Sequence, residues 1–138
     1  MSHADVNRVG PAGEAAVAAE LTEAGFHVFL PAFGAPEIDM IVELNNKLLR
    51  LQVKTQAGKS PSLRYATYGP DSVGYEGKVD WLALHSLHYG ITAFLKPEEV
   101  GKYPTLRYDS EEDHRKGKIA VRYARDYPMQ RMIQEATT

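Results

Sequence analysis

Ile38-Asp39-Met40-Ile41-Val42-Glu43-Leu44-Asn45-Asn46-Lys47-Leu48-Leu49-Arg50-Leu51-Gln52-Val53-Lys54-Thr55 is the stretch on which the reading of this chain turns. Two runs, Ile38 to Leu44 and Lys47 to Thr55, flank Asn45-Asn46. Asparagine tolerates positive φ, so the pair marks a tight turn and the runs on either side form a β-hairpin. A hairpin turned at 45 and 46 pairs positions whose numbers sum to about 91, which sets Asp39 opposite position 52. Side chains alternate along a strand. Gln52 and Lys54 therefore share one face, while Leu51 and Val53 point the other way into a core. Asp39, Gln52 and Lys54 are expected to converge on one patch.

A carboxylate and an amide oxygen are hard ligands suited to Mg²⁺ or Mn²⁺. Such an ion polarises a phosphodiester and lowers the pKa of a bound water. A lysine beside it can orient that water or offset charge on the phosphate. Rigid strands supply the positional precision that phosphoryl transfer needs.

On the N-terminal side, residues 1–9 read as a loose lead-in and Gly10-Pro11-Ala12-Gly13 as a breaker cluster. A helix from Glu14 to Ala24 follows, with Ala15, Val17, Ala18, Leu21 and Ala24 near helical spacing. Gly25 caps it, and His27 to Leu30 forms a strand ended by Pro31. On the C-terminal side, residues 56–78 are a long loop with a short strand near Leu63 to Thr67. Val79 to Leu84 and Ile91 to Leu95 are strands, and Pro97 opens a short helix. Residues 105–123 hold short strand-like pieces. Residues 125–136 form a final helix with Met129, Met132 and Ile133 on one face. The pattern is that of one mixed α/β domain with a central sheet.

The bulk numbers are compatible with that reading. At 138 residues the chain makes one domain, and 43% apolar with 25% charged residues is near the globular average. The absence of cysteine excludes a disulfide scaffold and Cys-ligated zinc, and it fits a reducing cytoplasm. No apolar run approaches the roughly 20 residues that span a bilayer, and Met1 to Gly10 holds no apolar segment of a secretion signal. The net charge of −2 means that local basic strips must carry any phosphate binding.

Ile38-Asp39 followed by Leu51-Gln52-Val53-Lys54-Thr55 resembles the PD-(D/E)xK nuclease motif. Gly13-Glu14, Gly25-Phe26-His27-Val28 and Pro31 ahead of Asp39 fit the same pattern. The likeness is greatest to the small branch of group I intron homing endonucleases and archaeal-type Holliday junction resolvases. Val79-Asp80-Trp81-Leu82-Ala83 and Phe94-Leu95-Lys96-Pro97-Glu98-Glu99-Val100 extend it from about residue 10 to 100, with residues 101–138 as a C-terminal extension. The resemblance implies a restriction-endonuclease-like α/β core, a central mixed sheet flanked by helices. It implies Asp39 as the central metal ligand, Glu14 reaching the metal directly or through water, the Val53 carbonyl completing the shell, and Lys54 as the catalytic lysine. Gln52 stands where Asp or Glu is commoner. Its amide offers an oxygen without charge, and a subset of the family, including the homing-endonuclease branch, carries Gln there.

Other residues admit a functional and a structural reading. Lys59, Arg64 and Lys78, interleaved with Tyr65, Tyr68 and Tyr75, make the long loop a candidate for phosphate contact and base stacking, or else a solvated loop. Arg115, Lys116, Lys118, Arg122 and Arg125 form a second basic stretch that Glu111, Glu112 and Asp113 partly neutralise. Glu37 reads as a loop charge, and Gln56 is in phase with Gln52 and Lys54. His85 and His88 read as packing or surface residues, and Asp80 as a residue holding a loop such as that of Tyr75. The expectation is a Mg²⁺- or Mn²⁺-dependent DNA endonuclease acting on duplex or branched DNA, assembled as a homo-dimer or homo-tetramer because cutting two strands calls for two centres. The alternative is a DNA-binding or interaction module that keeps the fold without the chemistry.

Overall fold

Asn45 and Asn46 take φ values of 48° and 64°, the paired left-handed geometry of a type I′ turn, and close the expected hairpin. The computed structural model describes residues 3–68, 74–109 and 122–138, with side-chain surroundings from residue 8 onward. The elements are α1 (His3–Glu23), β1 (His27–Phe29), β2 (Met40–Leu44), β3 (Lys47–Gln56), β4 (Ser62–Arg64), β5 (Trp81–Ser86), β6 (Ile91–Leu95), β7 (Thr105–Arg107), β8 (Arg122–Tyr123) and α2 (Met129–Ala136). Single 3-10 turns at Pro97–Glu99 and Ala124–Asp126 follow β6 and β8.

The main sheet has the order β1-β2-β3-β5-β6. Only β3 and β5 run parallel in it, so the sheet is mixed. Met40 pairs with Leu51 and Leu44 with Lys47, the register expected from the turn. One face carries Met40, Val42, Leu51, Val53, Trp81, Ala83 and Phe94, covered by Val17 and Leu21 of α1 and by Met132 and Ala136 of α2. The other face carries Leu82, Leu84, Ala93 and Leu95 against Leu63, Tyr65, Tyr75, Leu106 and Tyr108. There a second sheet, β4-β7-β8, supplies the cover. Because β5 is packed on both sides it is buried throughout, and its first four residues, Trp81 to Leu84, are all apolar. The molecule is thus a restriction-endonuclease-like α/β fold, a mixed central sheet with both helices on one face and the three-stranded sheet on the other.

Several boundaries differ from the sequence reading. Helix α1 begins at His3 and runs through Gly10, Pro11 and Gly13, where the sequence points to a breaker. Pro11 and Ala12 lie exposed, where water can serve a carbonyl that the proline leaves unbonded. Gly13 is buried because α1 touches β3 there: a Cβ on it would lie 1.8 Å from Thr55 Oγ1. Gly13, Val17 and Leu21, spaced by four, form the buried stripe, whereas Ala15 and Ala24 are exposed. The C-terminal end is as expected. Gly25 has φ +94°, its N–H donates to the Thr22 carbonyl, and that of Phe26 donates to the Leu21 carbonyl, as in a Schellman cap.

The second strand starts at Met40 rather than Ile38, leaving Asp39 in a bend. The strand expected at Val79 begins at Trp81 and runs to Ser86. The final helix is split by Pro128 into a 3-10 turn and α2. Residues beyond 100 take part in both apolar clusters through Leu106, Tyr108, Ala124, Met132 and Ala136. Among the described residues no helix is long and apolar enough to cross a membrane.

Candidate active site

The departure of β2 from β3 creates the site. The Asp39 N–H donates to the Leu51 carbonyl at 2.9 Å, the last rung between the strands. There the chain bends away while β3 continues to Gln56. The Val53 N–H faces the gap and would be unpaired, but the Asp39 carboxylate accepts it at 2.7 Å. A strand residue directs its N–H and C=O to the same neighbour, so the Val53 carbonyl faces that gap as well.

Glu14 follows Gly13 on α1, so the close approach of α1 to β3 brings its carboxyl to Asp39, and the two groups share a hydrogen bond. Burial pushes Glu14 above the usual carboxylate range, and the Asp39 charge and their hydrogen bond add to it. Burial raises Asp39 too, outweighing the downward pull of the Val53 N–H, the Glu14 hydrogen bond and the Lys54 ammonium. Two acids in contact in a half-buried site oppose each other's ionisation. Lys54 is half-buried, with Nζ 5.2 Å from the centre of the Tyr75 ring.

Gln52 is 7% exposed, and its Oε1 has no hydrogen-bond partner. An orphaned buried acceptor costs about 1–3 kcal/mol, so it is a feature that a ligand can relieve. Thr55 Oγ1, on the opposite face against Gly13, is the other such atom among the described residues. Those residues contain no group of three or more His, Cys, Asp or Glu side chains able to hold a metal. The structure brings the Asp39 and Glu14 carboxyls together at the Val53 backbone, and Gln52 adds a carboxamide oxygen on the neighbouring position of β3; by chemistry these are oxygen donors of the kind that suits Mg²⁺ or Mn²⁺. The residues present therefore fit a hard divalent cation.

The other candidates are more dispersed. Lys59 is exposed in its loop, and its carbonyl accepts from the Tyr89 hydroxyl at 3.1 Å. Arg64 lies on β4 with its guanidinium 4.3 Å from the Tyr103 ring centre. Lys78 forms an ion pair with Glu37 at 3.7 Å, which partly cancels both charges. Arg122 is half-exposed on β8. Arg115, Lys116 and Lys118 lie outside the described residues, as do Glu111, Glu112 and Asp113.

Some roles differ from those read in the sequence. Tyr65 is buried, donates to the His85 carbonyl at 2.9 Å and is bonded to the Tyr108 hydroxyl at 2.7 Å, so it is a core residue and not a stacking surface. Tyr75 is buried as well, beneath Lys54. Gln56 donates from Nε2 to the Arg64 carbonyl at 2.8 Å and ties β3 to β4. Asp80 holds Arg50 rather than the Tyr75 loop, accepting from the Arg50 backbone N–H at 2.8 Å and from its guanidinium. Burial pushes Asp80 up, but those bonds outweigh it and set its pKa below the ordinary value. His85 is a packing residue, its Nδ1 2.7 Å from Thr92 Oγ1, and burial lowers its pKa. Lys102 and Tyr103, a basic–aromatic dipeptide that the sequence does not single out, lie against Tyr68.

Comparison with known proteins supports the same family. The chain matches the solved structure of a bacterial homing endonuclease, I-Ssp6803I, with a TM-score of 0.71 and 16% identity over 93% of this chain and 91% of that one. At that identity the likeness speaks for the fold. A structure of Hjc, a Holliday junction resolvase of Archaeoglobus fulgidus, matches with a TM-score of 0.49 and 21% identity, covering 71% of this chain and 83% of that one. No curated protein matches the chain. The sequence model of the PD-(D/E)XK endonuclease family matches residues 4–130, past the limit of the likeness drawn from sequence motifs. With that match over nearly its whole length, and with Asp39 and Val53-Lys54 meeting where β2 and β3 part, the chain belongs to the PD-(D/E)XK endonuclease family.

Proposed function

We propose that this protein is a divalent-metal-dependent DNA endonuclease, hydrolysing phosphodiester bonds in duplex or branched DNA, with its active centre at Glu14, Asp39, Gln52, Val53 and Lys54. The observation that carries the reading is the Asp39 carboxylate on the Val53 N–H, hydrogen-bonded to Glu14 and within reach of the Lys54 charge; the unpartnered Gln52 amide oxygen, one residue from Val53 on β3, supports it. Asp39, Glu14, Gln52 Oε1 and the Val53 carbonyl would hold Mg²⁺ or Mn²⁺. That ion supplies charge to polarise the phosphodiester and to acidify a water. The Lys54 ammonium orients the attacking water and offsets the charge that builds on phosphate as the water oxygen joins phosphorus and a phosphorus–sugar oxygen bond breaks. Tyr75, under Lys54, limits where that ammonium can move. Glu14 and Asp39 would hold the cation in their ionised forms.

Lys59, Arg64, Lys78, Arg115, Lys116 and Arg122 are proposed to hold DNA phosphates, Lys78 more weakly because Glu37 pairs with it. Two strands require two centres, so the working form is a homo-dimer or homo-tetramer, acting on DNA in the cytoplasm. The test is cleavage of plasmid, linear duplex, single-stranded and four-way-junction DNA with and without Mg²⁺. The reading expects Mg²⁺-dependent cutting that Asp39→Ala abolishes. Metal-independent binding with no cutting of any substrate would instead leave a DNA-binding module with an uncharged Gln52 in place of a working centre.

A further inference from the structure

Tyr68 and Tyr103 come together away from the main core. The segment after β4 runs beside the one before β7: the Tyr65 N–H donates to the Pro104 carbonyl and the Thr67 N–H to the Lys102 carbonyl, both at 2.9 Å. The Thr67 hydroxyl also donates to the Gly101 carbonyl at 2.5 Å. This pairing sets the Tyr68 and Tyr103 rings edge to face with centres 5.1 Å apart, and their hydroxyls hydrogen-bond. Two cations lie against them. The Arg64 guanidinium is 4.3 Å from the Tyr103 centre, and Lys102 Nζ is 5.9 Å from that of Tyr68. Tyr103 is 46% exposed although it is a large ring, so packing does not account for it.

Next to the rings is a concavity of about 240 Å³ lined by Thr67, Tyr68, Tyr75, Glu76, Pro97 and Lys102. It is smaller than the roughly 300 Å³ at which drug-sized sites begin, and suits a single planar ring system. Glu76 adds an acceptor for an exocyclic amine. Tyr75 is the shared wall: it lines this concavity and also lies 5.2 Å from Lys54 Nζ in the candidate active site. Aromatic faces with flanking cations are what a nucleobase stacks on, since every base has a π-face and every adjoining phosphate a charge. A fully paired base in a stacked duplex has no free face to offer.

We propose that Tyr68, Tyr103, Arg64 and Lys102 form a platform that takes an unpaired nucleobase next to the scissile phosphate. The substrate class is therefore DNA that presents an unstacked base at the cutting point, such as a branch or a bulge. The placement beside the cut rests on the endonuclease reading; the binding of the base does not.

The test uses the full chain in EDTA, where no cutting occurs. The probes are a duplex with a single bulged 2-aminopurine, the same duplex with an abasic bulge, and the fully paired duplex. The expected result is quenching of the 2-aminopurine on binding, and at least tenfold tighter binding of the bulged base than of either control. Tyr103→Ala should remove that preference, Tyr103→Phe should keep it, and Arg64→Ala should weaken all three probes. Equal affinity of the wild-type protein for the three probes, or unchanged preference in a folded Tyr103→Ala chain, overturns the proposal. The wild-type comparison decides even where a variant misfolds. Base preference without Mg²⁺-dependent cleavage would retain the platform and discard the endonuclease reading; Asp39-dependent cleavage without base preference would do the reverse.

Discussion

Asp39 does two jobs with one carboxylate: it replaces the missing strand partner of Val53, and it meets Glu14. Both acids are raised by burial, so the folded chain binds more protons than the unfolded one between the ordinary carboxylate range and the raised values. In chelator, their contribution to stability is present at low pH and is lost as pH climbs through that window. Denaturant titrations at several pH values should show this loss, and Asp39→Asn should flatten it. A bound cation needs the same groups ionised, so Mn²⁺ affinity should rise with pH over that interval, as calorimetric titration can follow. Lys54→Ala should lower the cleavage rate by about 10²-fold or more, in line with the loss of one charge-stabilising group, while DNA affinity in EDTA changes little. A variant that cuts at the parental rate removes Lys54 from the mechanism. Gln52→Glu should hold or raise Mg²⁺ affinity, because it keeps the oxygen and adds charge; weaker binding in a metal titration would count against Gln52 as a ligand.

Helix α1 and strand β3 are held at contact distance by one absent side chain. At Gly13 a Cβ would meet Thr55 Oγ1 at 1.8 Å and the Thr55 Cβ at 2.7 Å, both within β3. Gly13→Ala should lever the helix off the sheet, cost about 1–3 kcal/mol in thermal or denaturant unfolding, and reduce cleavage further by moving Glu14 away from Asp39. An unchanged melting temperature would show that the helix slides freely. From the sequence alone, Gly10-Pro11-Ala12-Gly13 pointed to a stop, because glycine and proline weaken helices wherever their surroundings are unknown. The hairpin was legible for the opposite reason. Asn45 and Asn46 satisfy their own backbone requirement locally, and the register follows from the turn. The start of β2 was two residues off because the bend at Asp39 is caused by where β3 and α1 sit, not by Ile38-Asp39 itself.

The molecule packs its three-stranded sheet on one face of β5 and β6, so a residue of the long loop can be core or surface according to whether it falls between the sheets. Tyr65 and Tyr75 fell to the core, and Tyr68 to the rim, although all three look alike in sequence. The described residues of the 15.4 kDa chain carry one candidate centre. Sedimentation of the protein should therefore give a mass two or four times that of the chain, and cutting of both strands should weaken on dilution below the assembly's dissociation constant. A monomer that makes double-strand breaks at every concentration would contradict this.

By itself the sequence determined the hairpin, its register and the common face of Gln52 and Lys54, because turn preference and two-residue alternation are local and leave few alternatives. It also carried the family motif, in Asp39 on one arm of the hairpin and Gln52-Val53-Lys54 on the other, and the match to the family's sequence model agrees with it. The tertiary structure alone decided that Gly13 is a contact point, that Gln52 Oε1 is left without a donor, and that Tyr103 meets Tyr68 across 35 positions. These are long-range packing outcomes: they depend on which surfaces exclude water together, and no local preference encodes that.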